Sequence, residues 1–386
     1  MNMPVPDSFL AREETERGWR ALTSSGEVID VTGKNGERVV APDDGILVAS
    51  RDGSLNRRCF SRNDVDIEDY LFHYSAGIEA FKANLWQVAL DEFDAAIALA
   101  ATTRARFNRG LTLLHMGRWR EGFRDYEDRL DFSLPPLCQA AAERGIRLWR
   151  GEEVRNKRLL LVHDAGFGDT VMMLRYVPEL RAMGADVRLS VPAELRSLVA
   201  GAAALGDDGD FYWPMMSLLH LLDQTTETVP LKQHFLSVDL GLIDYWRLEL
   251  GAASRRRVGI AWSVGAVYDG DYPRSIPIDL MVDAFGGNID LFSLQVQGRE
   301  EAERLGVRVC GLRDFSDVAA LIHLMDDIVV IDTAAVHVAG AVGHPRVSVL
   351  LPHWSSWRWD GNPFYPWFRL CRQTSPGDWG SALCQV

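Results

Sequence analysis

Cysteine is scarce: Cys59, Cys138, Cys310, Cys371 and Cys384 make an odd set, widely scattered, with no CxxC pair. That argues against a disulfide framework or a cysteine zinc site and fits a reducing cytoplasm. No apolar run approaches the ~20 residues of a membrane span. The opening stretch, MNMPVPDSFLAREETERGW, is polar and acidic, so a secretory signal is not expected. Positive charge is in deficit, with 41 Lys+Arg against 54 Asp+Glu and a formal net charge of −13, which argues against a nucleic-acid-binding face. HxxxH and HExxH are both missing, and His163, His323, His337 and His353 have no metal-ligand spacing, so no metal site is expected. G-x-S-x-G and a Walker phosphate loop are also missing, which disfavours a nucleophilic triad and a P-loop nucleotidase.

What is present is an ordinary globular composition, 47% hydrophobic and 25% charged over 386 residues, long enough for two or three domains. Residues 1–68 read as a small segment: Glu27–Ser50 alternates apolar stretches with turn signals at Gly33, Asn35-Gly36 and Pro42–Gly45, predicting one or two hairpins, and a polar linker follows. Residues 69–150 read as helical and contain a repeat. An offset of 33 pairs Tyr74 with Phe107, Gly77 with Gly110, Trp86 with Trp119, Ala89 with Gly122 and Phe93 with Tyr126. This spacing resembles the tetratricopeptide repeat, a helix–turn–helix unit whose small residues sit at the helix crossing. A plain helical bundle is the alternative.

From 151 onward, apolar β-branched runs alternate with helical periodicity. Arg158–Val162 reads as a strand, followed by a helix with apolar Val171, Leu174, Val177 and Leu180, a strand over Ala185–Val191 and a helix over Ala193–Val199. A break at Gly251–Arg257 precedes a second series. It comprises strands at Val258–Trp262, Ile289–Leu294 and Val307–Cys310, with helices at Arg299–Leu305 and Phe315–Met325. The pattern predicts an α/β fold of two Rossmann-like lobes, 151–252 and 253–386, facing each other across a cleft. The Trp- and Pro-rich tail is expected to cross back to the first lobe.

The chain is organised around DIVVIDTAAVHVAGAVGHPRVSVLLP, residues 327–352: strand, turn, small-residue helix, strand. The turn at Asp332, Thr333, Ala334 and Ala335 offers backbone N–H groups to an anion, and His337 lies one turn into the helix. Plain helix capping by Asp332 and Thr333 explains the same residues. A second glycine turn, His163-Asp164-Ala165-Gly166-Phe167-Gly168-Asp169, links the first strand of its lobe to a helix. Its glycines permit close approach, and Asp169 is either an N-terminal cap or an ionised carboxylate able to accept a proton from a hydroxyl. No downstream acidic pattern of a dinucleotide fold follows it. Arg274, in a loop, and Gln295, at a strand end, face the same edge as potential phosphate and nucleoside contacts. A surface turn and a strand end are the plain readings.

In order, LW…G at 148–151, RLLLVHDAGFGDTVMMLRYVPEL, VGIAWS, RSIPI, SLQ, DFSDVAALIHLMDDIVVIDTAAVHVAGAVGHP and WRWDGNPFYPWFRLCRQ resemble bacterial proteins that join tetratricopeptide repeats to a heptosyltransferase-like, GT-B-type glycosyltransferase domain. The resemblance implies metal-independent, inverting sugar transfer without a cofactor, from a nucleotide-sugar held mainly by the second lobe. It implies Asp169 as general base. Arg274, Gln295, Asp332, Thr333, Ala334, Ala335 and His337 would be on the donor side, and His163, Asp164, Gly166 and Gly168 on the acceptor side. A protein or lipid-linked glycan acceptor would place the chain in the cytoplasm or at the inner membrane face, with the repeats as a partner surface. Asp164 and Ala165 depart from the H-x-E-Q-G-x-G-D of such relatives. That departure keeps in view a binding or scaffold protein without turnover; a nucleotide-sugar epimerase, which can use the same two-lobe fold, is a third reading.

Overall fold

The computed structural model describes residues 67–132, 134–264 and 274–386, together with five short strands nearer the N-terminus. These strands are β1 (Phe9–Thr15), β2 (Gly18–Thr23), β3 (Val28–Thr32), β4 (Ile46–Ala49) and β5 (Leu55–Arg58). The first three form an antiparallel sheet, and the last two pair as a hairpin. Strand β5 thus stands where a linker was expected, while the turns at Asn35-Gly36 and Pro42–Gly45 lie outside the described residues. The chain divides into two compact units, Met1–Leu134 and Pro135–Val386.

In the first unit the 33-residue offset recurs in three dimensions. Helices α1 (Ile67–Lys82) and α2 (Trp86–Leu99) form one hairpin, and α3 (Thr103–His115) and α4 (Trp119–Tyr126) form the next. Each hairpin turns on a left-handed residue, Asn84 in one and Gly117 in the other, which are the same repeat position. Small residues set the crossing: a Cβ on Gly110 would come 2.9 Å from the Gly122 carbonyl oxygen, so the two backbones touch. A short helix, α5 (Arg129–Phe132), closes the unit.

The second unit opens at α6 (Pro136–Glu143) and β6 (Arg147–Leu148), ahead of the expected boundary near 150. It continues through β7 (Arg158–Val162), α7 (Phe167–Met173), α8 (Val177–Ala182), β8 (Asp186–Ser190), α9 (Ala193–Val199), β9 (Ala204–Leu205), β10 (Phe211–Pro214), α10 (Leu218–Leu221) and α11 (Leu240–Leu250). These strands form a sheet of order β6-β10-β7-β8-β9, with every pairing parallel. The one helix expected after β7 is two, α7 and α8, joined by a 3-10 turn over Leu174–Tyr176, with Pro178 in the first turn of α8, where its missing N–H costs no helical bond.

The second sheet follows the same logic. Its elements are β11 (Arg256–Ala261), α12 (Ile278–Asp283), β12 (Ile289–Ser293), α13 (Arg299–Arg304), α14 (Phe315–His323), β13 (Asp327–Ile331), α15 (Ala334–Ala341), β14 (Val347–Leu351), β15 (Arg369–Arg372) and α16 (Trp379–Leu383). The strand order is β12-β11-β13-β14-β15, again all parallel. Both sheets are covered by helices, which is why the central strands are apolar on both faces: Leu159 to Val162 and Ile328 to Ile331 are buried throughout. Val307–Cys310 is not a strand. It makes a single bridge, Arg308 to Phe292, and then turns back through Leu312 N–H donating to the Cys310 carbonyl.

In each sheet the chain runs outward on both sides of one strand, β7 in the first and β11 in the second. The loops at these switch points leave the carboxyl ends of the strands, where an open parallel sheet forms its crevice.

Candidate functional site

The turn after β7 and the turn after β13 meet. A Cβ placed on Gly168 would lie 2.5 Å from His337 Cδ2 and 3.2 Å from the Ala334 Cα, so only glycine lets the first helix come this close to the second. Phe167 adds an edge contact to Phe315 across the same junction, with ring centroids 5.4 Å apart.

Asp169 uses its two oxygens separately. Oδ2 accepts from the Gly166 backbone N–H at 3.0 Å, the backward reach of a helix cap. Oδ1 lies 2.6 Å from Nη2 of Arg358, and both side chains are less than one-fifth exposed. Capping and site chemistry, read from the sequence as alternatives, are thus one carboxylate's two halves. Burial pushes its pKa up, but Arg358 and the Gly166 N–H outweigh this and hold the carboxyl below its ordinary value.

Across the junction, Thr333 starts α15 in an extended conformation, and its side chain does not cap the helix. Its buried Oγ1 has no hydrogen-bond partner among the described residues, an arrangement that costs about 1–3 kcal/mol. Asp332 is buried and pairs with Arg274 at 3.7 Å. His337 is buried beneath Trp359, rings 5.8 Å apart, and its Nδ1 faces the Tyr365 hydroxyl at 3.1 Å. Burial lowers the His337 pKa to about 4 despite Asp332 and Asp169 nearby, so the ring is neutral at pH 7.

The other expected residues have more local duties. His163 Nδ1 contacts the Thr170 hydroxyl at 2.7 Å, and burial lowers its pKa. Asp164 accepts from the Met216 N–H at 3.0 Å, which ties the β7 turn to the end of β10. Gln295 accepts from the Trp262 and Ser263 N–H groups at 2.7 and 3.0 Å and donates to the Gln297 carbonyl. It therefore clamps the loop after β11. Its neighbours Trp262, Ser263 and Ser275 line a pocket of about 480 Å³ with Gly298 and Arg304. Among the described residues no group of three or more His, Cys, Asp or Glu is placed to hold a metal ion.

Sequence reasoning missed Arg358, Trp359, Tyr365 and Arg175. Arg175 is fully buried, donates to the Phe364 carbonyl at 3.0 Å, and stacks on the Phe235, Phe364 and Tyr365 rings. Residues 358–365 of the tail touch the helices after β7 through the Arg358–Asp169 pair and the Arg175–Phe364 hydrogen bond. Strand β15 and α16 then return to the second sheet. The signal was present as a cationic residue inside an aromatic run, WRWDGNPFYPWF.

Residues 285–355 match glycosyltransferase family 9 (heptosyltransferase), a stretch holding Gln295, Asp332, Thr333 and His337 and ending just before Arg358. Protein FlbA of Caulobacter vibrioides is 28% identical over 309 residues, which is 69% of this chain and 51% of that protein. The chain therefore spans about half the length of that curated relative. Among solved structures, ADP-heptose LPS heptosyltransferase II of E. coli gives a TM-score of 0.42 at 15% identity over 59% of this chain and 97% of that one. The glycosyl transferase family 9 protein of Veillonella parvula gives 0.40 at 9% identity over 58% and 88%.

Proposed function

We propose that this chain is an inverting, metal-independent glycosyltransferase that moves a sugar from a nucleotide-sugar to a hydroxyl of a protein or glycan. One observation supports it most: two turns from different sheets, one after β7 and one after β13, meet where Gly168 packs on Ala334 and His337, which sets Asp169 beside the Asp332–His337 turn. The match of residues 285–355 to glycosyltransferase family 9 agrees with this reading. In the proposed step, the acceptor oxygen bonds to the anomeric carbon as the bond from that carbon to the donor phosphate breaks. Asp169 takes the acceptor's proton, and the leaving nucleotide departs with the bonding electrons. Arg274 and the backbone N–H groups at the start of α15 answer the charge that builds on the phosphate. An oriented donor of this kind is worth about 3–4 kcal/mol.

The test is a panel of nucleotide-sugars assayed for hydrolysis and transfer. Asp169→Asn should slow turnover about 10²–10⁴-fold, the usual range for a general base. Turnover should persist in EDTA. An unchanged rate in Asp169→Asn would remove the assignment.

A binding or scaffold role is the second reading, favoured by Ala165 and by the ion pair that occupies Asp169. Nucleotide-sugar binding without any turnover would select it. Cytoplasmic or membrane-peripheral placement and a protein partner for the helical hairpins belong to the same proposal. Among the described residues no helix is long and apolar enough to cross a membrane.

A further inference from the structure

We propose that Arg358 is a donor-exchanged latch: it sits on Asp169 until a diphosphate draws the guanidinium away, so that the carboxylate is unmasked as a base only when donor is bound. The inference rests on the reading of Asp169 given above. Arg358 is held where such an exchange needs it. Its Nη1 donates to the Ser356 hydroxyl at 2.9 Å, its guanidinium lies 4.6 Å over the Trp357 ring, and its Nη2 meets Asp169 at 2.6 Å. The next residue, Trp359, stacks on His337, so the arginine belongs to a turn fixed against the donor-side helix.

Both aspartates of the junction carry an arginine, Arg358 on Asp169 and Arg274 on Asp332. An entering diphosphate meets two carboxylates and two guanidinium groups. A phosphate offers a guanidinium paired, charge-assisted hydrogen bonds and more negative charge than one carboxylate oxygen. Transfer of Arg358 to the phosphate leaves Asp169 with only the Gly166 N–H and a neutral His337, and therefore more basic. Arg358 never accepts or gives a proton in this scheme. It is a positioning residue, and the exchange is a change of ion-pair partner.

The test is a double-mutant cycle on binding in the full chain, using inorganic pyrophosphate, ADP, UDP and GDP as probes in calorimetry. Asp169→Asn keeps an oxygen for the Gly166 N–H but releases Arg358, so it should tighten binding about tenfold. Arg358→Gln should weaken binding at least tenfold, and adding Asp169→Asn to it should change nothing further. Simple repulsion between Asp169 and phosphate would instead give the same tightening in both backgrounds, and that result overturns the latch. So does an unchanged or weaker affinity in Asp169→Asn alone. Melting curves establish that each variant is folded, and Arg358→Lys, with the charge but not the fork, replaces a Gln variant that is not, with an intermediate loss expected. If the wild-type chain binds none of the probes, the glycosyltransferase reading falls and takes the latch with it. If it binds them and the cycle is additive, only the latch falls.

Discussion

His337 is neutral at pH 7 because burial beneath Trp359 and beside Tyr365 denies its charged form solvent. An unfolded histidine takes up a proton near pH ~6.5, whereas this one waits until about pH 4. Between those values the unfolded chain binds more protons than the native one. Stability therefore falls as pH drops from 6.5 toward 4, by up to ~3 kcal/mol at the bottom of the window. His163 and His344, also pushed down by burial, act in the same direction. Asp169, held below its ordinary value, has the same sign at lower pH. Its contribution is present above the unfolded carboxylate pKa and is lost as pH falls through the folded one. Urea midpoints measured at pH 7, 6 and 5 should decline, and His337→Asn should make the decline shallower while lowering stability at every pH. An equally steep decline in the variant would show that His337 is not the group responsible.

Helix α15 owes its small residues to an aromatic neighbour as much as to the turn before it. A Cβ on Gly340 would stand 2.1 Å from the Tyr365 ring, and Tyr365 in turn holds His337 and lies against Arg175. Gly340→Ala should cost about 1–3 kcal/mol by overpacking and displace Tyr365, lowering Tm by a few degrees for each kcal/mol and changing the near-ultraviolet circular dichroism of the aromatic tail. Gly311→Ala, which meets only open space, should change neither, and an unchanged Tm in Gly340→Ala would mean that Tyr365 yields without strain. The strands β7 and β13 were legible in the sequence, because a parallel strand buried on both faces is an unbroken apolar run, here after one polar residue, Arg158 or Asp327. Strand β15 was not legible: Arg369-Leu370-Cys371-Arg372 is a four-residue edge strand flanked by arginines. The two site turns could be read from local glycine and Asp-Thr chemistry. Arg358 could not, since its meaning lies in a contact with a carboxylate on the other sheet's helix.

At the scale of the whole molecule, each of the two compact units has a core among the described residues. Ile67, Tyr70, Ala96, Ala100 and Ala105 cluster in the first unit, while Val258, Ile260, Met281, Val329 and Leu350 anchor a core of the second. Asp169, Arg274, Arg358 and His337 all lie in the second unit. A fragment of residues 135–386 is large enough to bury its own core, and its sheets and site turns are made from its own residues. It should therefore unfold cooperatively and bind pyrophosphate and nucleoside diphosphates with the full chain's affinity. Donor hydrolysis, which needs only water as acceptor, should survive in it as well. If the helical hairpins present a protein acceptor, their loss should appear only in transfer to that acceptor, as a raised KM with hydrolysis unchanged. A fragment that folds but loses diphosphate affinity would show that the first unit completes the donor site. That result would overturn the assignment of donor chemistry to the second unit alone.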